Sequence, residues 1–246
     1  MTASATLNLD DANAQLGAFD AAARVAWAKE HFRGGLAMTS SFGAQSAVML
    51  HLVTQVVPDI PIVWIDTGYL FPETYRFAEQ LRQRLGLNLK VYTGDLTPAR
   101  YEALHGRAWE DAEQGQRDYL RAFKVAPMKR AIEDLGITCW LAGLRAEQTD
   151  HRATLRPVEK QDGVYKVHPI LSWTGQQVGA YLKQHKLPYH PLVEQGYASI
   201  GDTHSTRKVT DEMTDRDGRF TGLRQECGLH LPETPEENQS RGSSGL

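Results

Sequence analysis

The chain has 246 residues, 41% hydrophobic and 23% charged, with 27 Lys and Arg against 30 Asp and Glu for a net charge of −3. These values suit one α/β domain with an appendage and exclude a wholly disordered, collagenous or coiled-coil chain; the acidic balance excludes the broad basic footprint that nucleic acid binding needs. No apolar run approaches the roughly 20 residues of a bilayer span, and the start MTASATLNLDDANAQ lacks the basic and apolar stretches of a signal peptide, so a cytoplasmic protein with no membrane partner is expected.

From Asp10 to Phe32, Leu16, Phe19, Ala23, Ala26 and Trp27 recur at helical spacing, which predicts one amphipathic helix and sets residues 1–35 apart as a helical segment lying on the core. A strand is expected over Leu36–Thr39, then the turn SSFGAQS, a helix through AVMLHLVTQVV and the buried strand PIVWID ending at Asp66. The next helix has Pro72 and Glu73 in its first turn, where a fixed φ and a negative charge both suit a helix start, and NLKVYT reads as a strand. A helix interrupted by Pro127 is predicted from Arg117 to Leu135, followed by the strand TCWLAGL and a loop carrying Arg152 and Arg156. VYKVHPILSW closes a further strand, and Thr174 with Gln177 has the capping-box spacing. Strands alternating with helices predict a mostly parallel, twisted sheet with helices on both faces over residues 36–210. Residues 211–230 read as a mobile C-terminal arm, and 231–246, rich in Pro, Glu, Ser and Gly, as a disordered tail.

Ser40, Ser41, Phe42, Gly43 and Ser46 lie in a strand-to-helix turn that could be an ordinary capped turn or a cradle of N–H and hydroxyl groups for an anion. Asp66-Thr67-Gly68 and Gly143-Leu144-Arg145 fall at two other strand ends, where open α/β sheets bind ligands, and three such loops favour a nucleotide site. From Arg117 to Lys166 ten Lys and Arg face seven Asp and Glu, a local surplus that suits an anion. Lys124, Arg145, Arg152, Arg207, Lys208, Arg216 and Arg219 are each either solvated charges or contributors to that site. Two cysteines cannot supply a disulfide framework or paired Cys-x-x-Cys ligands, and the nine histidines hold no His-Glu-x-x-His, so no metal and no cofactor are expected. Cys139, among apolar neighbours, reads as a small core hydrophobe. Cys227, between Arg224 and His230, reads as an incidental surface thiol or as a nucleophile on an arm that visits two partners.

The motifs SSFGAQS, DTGYLFPETYRF, KVAPMKRA, AGLRAEQTDHR, KVHPILSW, LPYHPLVEQGYASIGDTHSTRK and ECGLH resemble those of the phosphoadenylyl-sulfate reductases of assimilatory sulfate reduction, from about Ser40 to His230. The resemblance implies an adenine-nucleotide α-hydrolase-like fold and reduction of 3'-phosphoadenosine 5'-phosphosulfate (PAPS) to sulfite and 3'-phosphoadenosine 5'-phosphate, with thioredoxin or glutaredoxin as reductant, in a homodimer. It makes Cys227 the nucleophile that becomes an S-sulfocysteine, SSFGAQS the modified pyrophosphate loop, and Lys124, Arg145, Arg152, Arg216 and Arg219 the cations around the substrate. The sister enzymes acting on adenylyl sulfate hold a [4Fe-4S] cluster with four cysteines, at places that here hold Tyr119, Leu120, Asp202 and Ser205. Other readings are adenylyl-sulfate reduction, an ATP pyrophosphatase of the same fold, whose loop would need a glycine and an aspartate that are lacking here, and a non-catalytic nucleotide-binding module.

Overall fold

The computed structural model describes residues 7–110, 113–210 and Gly218. In chain order the elements are α1 (Leu9–Gly17), α2 (Ala21–His31), β1 (Leu36–Thr39), α3 (Ser46–Val56), β2 (Pro61–Asp66), α4 (Pro72–Leu85), β3 (Asn88–Thr93), α5 (Pro98–His105), α6 (Glu113–Leu120), α7 (Ala126–Asp134), β4 (Cys139–Leu141), α8 (Asp150–Ala153), β5 (Val158–Gln161), β6 (Val164–Val167) and α9 (Gly175–Gln184). The six strands form one sheet in the order β3-β2-β1-β4-β6-β5. Every neighbouring pair is parallel except the β5–β6 hairpin at the edge.

Strand side chains alternate between two cores. Met38, Ile62, Trp64, Cys139 and Leu141 point to one face, where they meet Val25 and Ala28 of α2, Leu50 and Val53 of α3, Phe77 and Leu81 of α4 and Leu182 of α9. Ala37, Val63 and Trp140 point to the other, against Met128 and Ala131 of α7. Helices thus cover both faces, as the alternating pattern predicts. Cys139 is fully buried, and burial pushes its thiol pKa up, so it behaves as core.

The helix expected over Asp10–Phe32 is two helices. Asp20 caps α2 by accepting from the Ala23 N–H at 2.7 Å, and the chain turns between Gly17 and Asp20 because this short carboxylate stabilises a fresh start better than continued winding would. Asn13 of α1 spans the gap to the sheet edge: its side-chain NH2 donates to the Val158 carbonyl and its side-chain oxygen accepts from the Val158 N–H, both at 2.9 Å. The stretch after Arg156, expected to be loop, is strand β5, turned back onto β6 by Asp162 and Gly163, whose φ values of 50° and 84° are those of a tight hairpin that Gly adopts without strain.

His190 ties α4 to the loop after α9. Its Nδ1 accepts from the Leu192 N–H at 3.1 Å, which leaves Nε2 carrying the proton that goes to Thr74 Oγ1 at 3.0 Å, and Phe77 stands edge-on 5.1 Å away. Protonating Nδ1 would break the Leu192 bond in a fully buried site, and burial lowers this pKa from 6.5 to about 4. Between those values the unfolded chain takes up a proton that the folded chain refuses, so stability falls as pH drops through the window. We expect urea unfolding to show about 2 kcal/mol less stability at pH 5 than at pH 7.5 from this group. His190→Gln should remove that part of the pH dependence; an unchanged pH dependence in the variant would refute it.

Candidate active site

The C-terminal ends of β1, β2 and β4 open into one cleft of about 280 Å³. Ser40, Ser41, Gly43, Gln45 and Ser46 line it from the loop between β1 and α3, Thr67 from the end of β2, Gly143, Arg145, Gln148 and Arg152 from the segment after β4, and Ser199, Ile200, Gly201 and Asp202 from the C-terminal loop. Gly143 is required by close approach: a Cβ there would lie 2.8 Å from Met49 Cγ on α3. The N-terminal end of α3 faces the same space, so its N–H groups and partial positive charge add to the cations.

Three of those cations are almost fully buried, Lys124 at 9%, Arg145 at 4% and Arg152 at 6% exposure. Each is held by neighbours. Arg145 donates from Nη2 to Gln45 Oε1 at 3.1 Å and pairs through Nη1 with the half-exposed Glu147 carboxylate, while Arg152 donates from Nη1 to Gln148 Oε1. Buried guanidinium groups fixed in this way meet a phosphate or sulfo group with little reorganisation.

Lys124 reaches the cleft because of Pro127. The segment from Glu113 to Asp134 is helical throughout, but over Arg121–Val125 the turn widens so that the Ala126 N–H bonds the Arg121 carbonyl five residues back. Pro127 has no N–H for the Phe123 carbonyl, and the wider turn accommodates its ring without breaking the helix. Lys124 lies in this widened turn and its ammonium meets Asp202 Oδ2 at 2.5 Å. Asp202 Oδ1 accepts from Thr67 Oγ1 at 2.6 Å. Above the pair stands an aromatic cluster in which Tyr119 lies 5.8 Å from Tyr69 and 4.8 Å from His204, with Trp109 stacked on His204 at 4.1 Å. Burial, and after it the Asp202 charge, pushes the Tyr119 phenol well above its ordinary pKa and keeps it neutral.

The expected residues do not all line the cleft. Ser40, Ser41, Gly43, Ser46, Thr67, Lys124, Gly143, Arg145 and Arg152 do. Phe42 is a correction: with φ 49° its side chain turns away into the core, fully buried 4.9 Å from the Trp64 ring, and it anchors the loop instead of lining it. Asp66 spends its carboxylate on the Gly68 N–H and the Tyr75 hydroxyl, shaping the turn after β2. Arg207 and Lys208 are exposed and outside the lining; the Arg207 N–H bonds the Gly218 carbonyl and the Lys208 ammonium lies 5.7 Å from the Tyr197 ring. Cys227, Arg216 and Arg219 lie outside the described residues, as does most of the segment read as the arm. Of the four places occupied by cluster cysteines in the sister enzymes, Tyr119 and Asp202 stand together beside Lys124, and Ser205 hydrogen-bonds the Asp202 carbonyl. Gln45, Gln148 and Glu147 went unread in the sequence, as did the pairing of Asp202 with Lys124; only the spacing Arg145-x-Glu147-Gln148 signals any of them, as neighbours in a turn.

The family model for the phosphoadenosine phosphosulfate reductase domain matches residues 35–208. The chain belongs to that family. A phosphoadenosine 5'-phosphosulfate reductase of Synechocystis sp. is 55% identical over 225 residues, covering 90% of each chain, and one of Vibrio cholerae is 50% identical over 225 residues, covering 92% of this chain and 89% of that one. Among solved structures, a phosphoadenylyl-sulfate reductase from Candida auris in complex with phosphate has a TM-score of 0.73 at 27% identity, covering 83% of this chain and all of that one. An FMN adenylyltransferase of Candida glabrata, TM-score 0.52 at 17% identity over 97% of this chain and 83% of that one, shares the fold alone. The fold is adenine-nucleotide α-hydrolase-like, as the family resemblance implies.

Proposed function

We propose that this chain reduces PAPS to sulfite and 3'-phosphoadenosine 5'-phosphate in sulfate assimilation, with Cys227 as nucleophile and thioredoxin as reductant. The observation that supports this most is the convergence of buried Lys124, Arg145 and Arg152 on one cleft with the serine-rich loop, in a chain of the PAPS reductase family. The Cys227 thiolate attacks the sulfo sulfur, the S–O bond to the phosphate breaks, and 3'-phosphoadenosine 5'-phosphate departs with the electron pair. A thioredoxin thiolate then attacks Cys227 Sγ, sulfite leaves with the S–S electron pair, and the second thioredoxin thiol releases Cys227 while thioredoxin becomes a disulfide. An anionic thiolate must approach an anionic sulfo group, so cations fixed in the cleft supply the charge stabilisation on which the encounter depends. Arg216 and Arg219 join Lys124, Arg145 and Arg152 in this role, and the working unit is a homodimer in the cytoplasm. No helix among the described residues is long and apolar enough to cross a membrane.

The decisive assay is sulfite release with thioredoxin and, in parallel, PAPS, adenylyl sulfate or ATP. Turnover of PAPS alone supports the reading; preference for adenylyl sulfate, or pyrophosphate release from ATP, refutes it. Because Tyr119, Leu120, Asp202 and Ser205 offer no thiolate to iron, the purified protein should be active, colourless and free of stoichiometric iron. Metal analysis checks this, and iron with visible charge-transfer absorbance would return adenylyl sulfate as the substrate.

A further inference from the structure

Asp202 has a fully buried side chain and joins three separate parts of the chain: Thr67 at the end of β2, Lys124 in the widened turn between α6 and α7, and its own loop, where the Asp202 carbonyl accepts from the Ser205 N–H at 3.1 Å. The loop is itself pinned to the β2 end, since Leu70 and Asp202 form an antiparallel bridge and the Thr203 N–H donates to the Tyr69 carbonyl at 2.8 Å. A carboxylate so constrained cannot follow a wandering lysine, so the lysine must come to it. An ammonium left alone at this depth would be penalised by desolvation and would shed its proton or swing towards water.

We infer that Asp202 is the positioning residue for Lys124, fixing its ammonium in the charged form at the wall of the cleft so that it meets an incoming anion without first being ordered or desolvated. This rests on the proposed role of Lys124 in holding the sulfonucleotide. The pair is neutral as a whole, which lets a cation wait in a buried wall with no ligand present. When an anion arrives the ammonium can share its remaining donors with it while Asp202 stays in place.

The test is binding of 3'-phosphoadenosine 5'-phosphate, followed by calorimetry between pH 7 and pH 9.5 for the wild type, Asp202→Asn, Lys124→Met and the double variant. Asparagine can keep the Thr67 bond through its amide oxygen and removes only the charge. The groups around the pair are the Tyr119 and Tyr69 phenols, which burial holds above this range, and the side chains of His204, Arg145 and Arg152. We expect wild-type affinity to stay nearly flat, Asp202→Asn to lose about tenfold between pH 7 and pH 9.5, and Lys124→Met to be weak and equally flat. The double variant should match Lys124→Met, because Asp202 acts only through the lysine. If Lys124→Met binds as the wild type does, the anion site itself is misplaced; if it is impaired while Asp202→Asn is unchanged, or loses affinity equally at all pH values, the positioning role falls alone. Should Asp202→Asn fail to fold, Asp202→Glu decides: it keeps the charge and should stay flat with pH, and a loss that grows with pH overturns the inference.

Discussion

Cys227→Ser should bind 3'-phosphoadenosine 5'-phosphate within about twofold of the wild type yet form no sulfite, because a hydroxyl of ordinary pKa cannot replace a thiolate and the cations of the cleft do not depend on it. This is the largest effect we expect. Mixing the wild-type protein with PAPS but no reductant should add one sulfonate by intact-protein mass spectrometry, and peptide mapping should place it on Cys227. Cys139 offers no alternative, since it lies wholly inside the sheet's core with its thiol pKa raised by burial. Sulfonation of Cys139, or undiminished sulfite release by Cys227→Ser, would end the proposal that Cys227 does the chemistry.

The second large effect concerns Arg145. Arg145 is 4% exposed, held by Gln45 on one side and paired with Glu147 on the other, in the segment after β4 that lines the cleft. Arg145→Ala removes a charge-assisted donor and also leaves the Glu147 carboxylate without its counter-charge. The first loss is worth about 1.5–3 kcal/mol, or roughly 10- to 150-fold in kcat/KM, and the second adds to it. Arg145→Ala/Glu147→Gln should therefore recover part of what Arg145→Ala loses. Steady-state kinetics on the three proteins decide the matter; wild-type kinetics in a folded Arg145→Ala would show that the anion binds elsewhere.

The first three strands were legible because their sequences leave no alternative. Leu36–Thr39, Pro61–Asp66 and Asn88–Thr93 are short apolar or β-branched runs bounded by turn residues, and the structure has strands over those same residues. The break between α1 and α2 was hidden because Leu16, Phe19 and Ala23 keep helical spacing across it, although Asp20 carried the signal of a new cap. Similarly, Asp162-Gly163 announced a hairpin that the charged residues around it obscured. In the site, residues whose chemistry is plain from their type and place after a strand, such as Lys124, Arg145 and the serines, could be picked out from sequence. Asp202 is another matter: its partners Thr67 and Lys124 are 135 and 78 residues away in the chain, and only the fold makes the three neighbours. Phe42 failed for the opposite reason, since membership of a ligand loop says nothing about where one side chain of that loop points.

The Asn13 clasp on Val158 has a consequence for how copies of this protein behave when crowded. β5 is an edge strand, and an edge strand's outward N–H and C=O groups form a template onto which a foreign strand can zip, the first step towards aggregated sheet. At Val158 both groups are already taken by the side-chain amide of a residue on α1, which imitates one rung of a neighbouring strand without offering a next rung. The rung at Val158 is thereby closed by the protein's own first helix, and a strand from another molecule cannot pair with this residue.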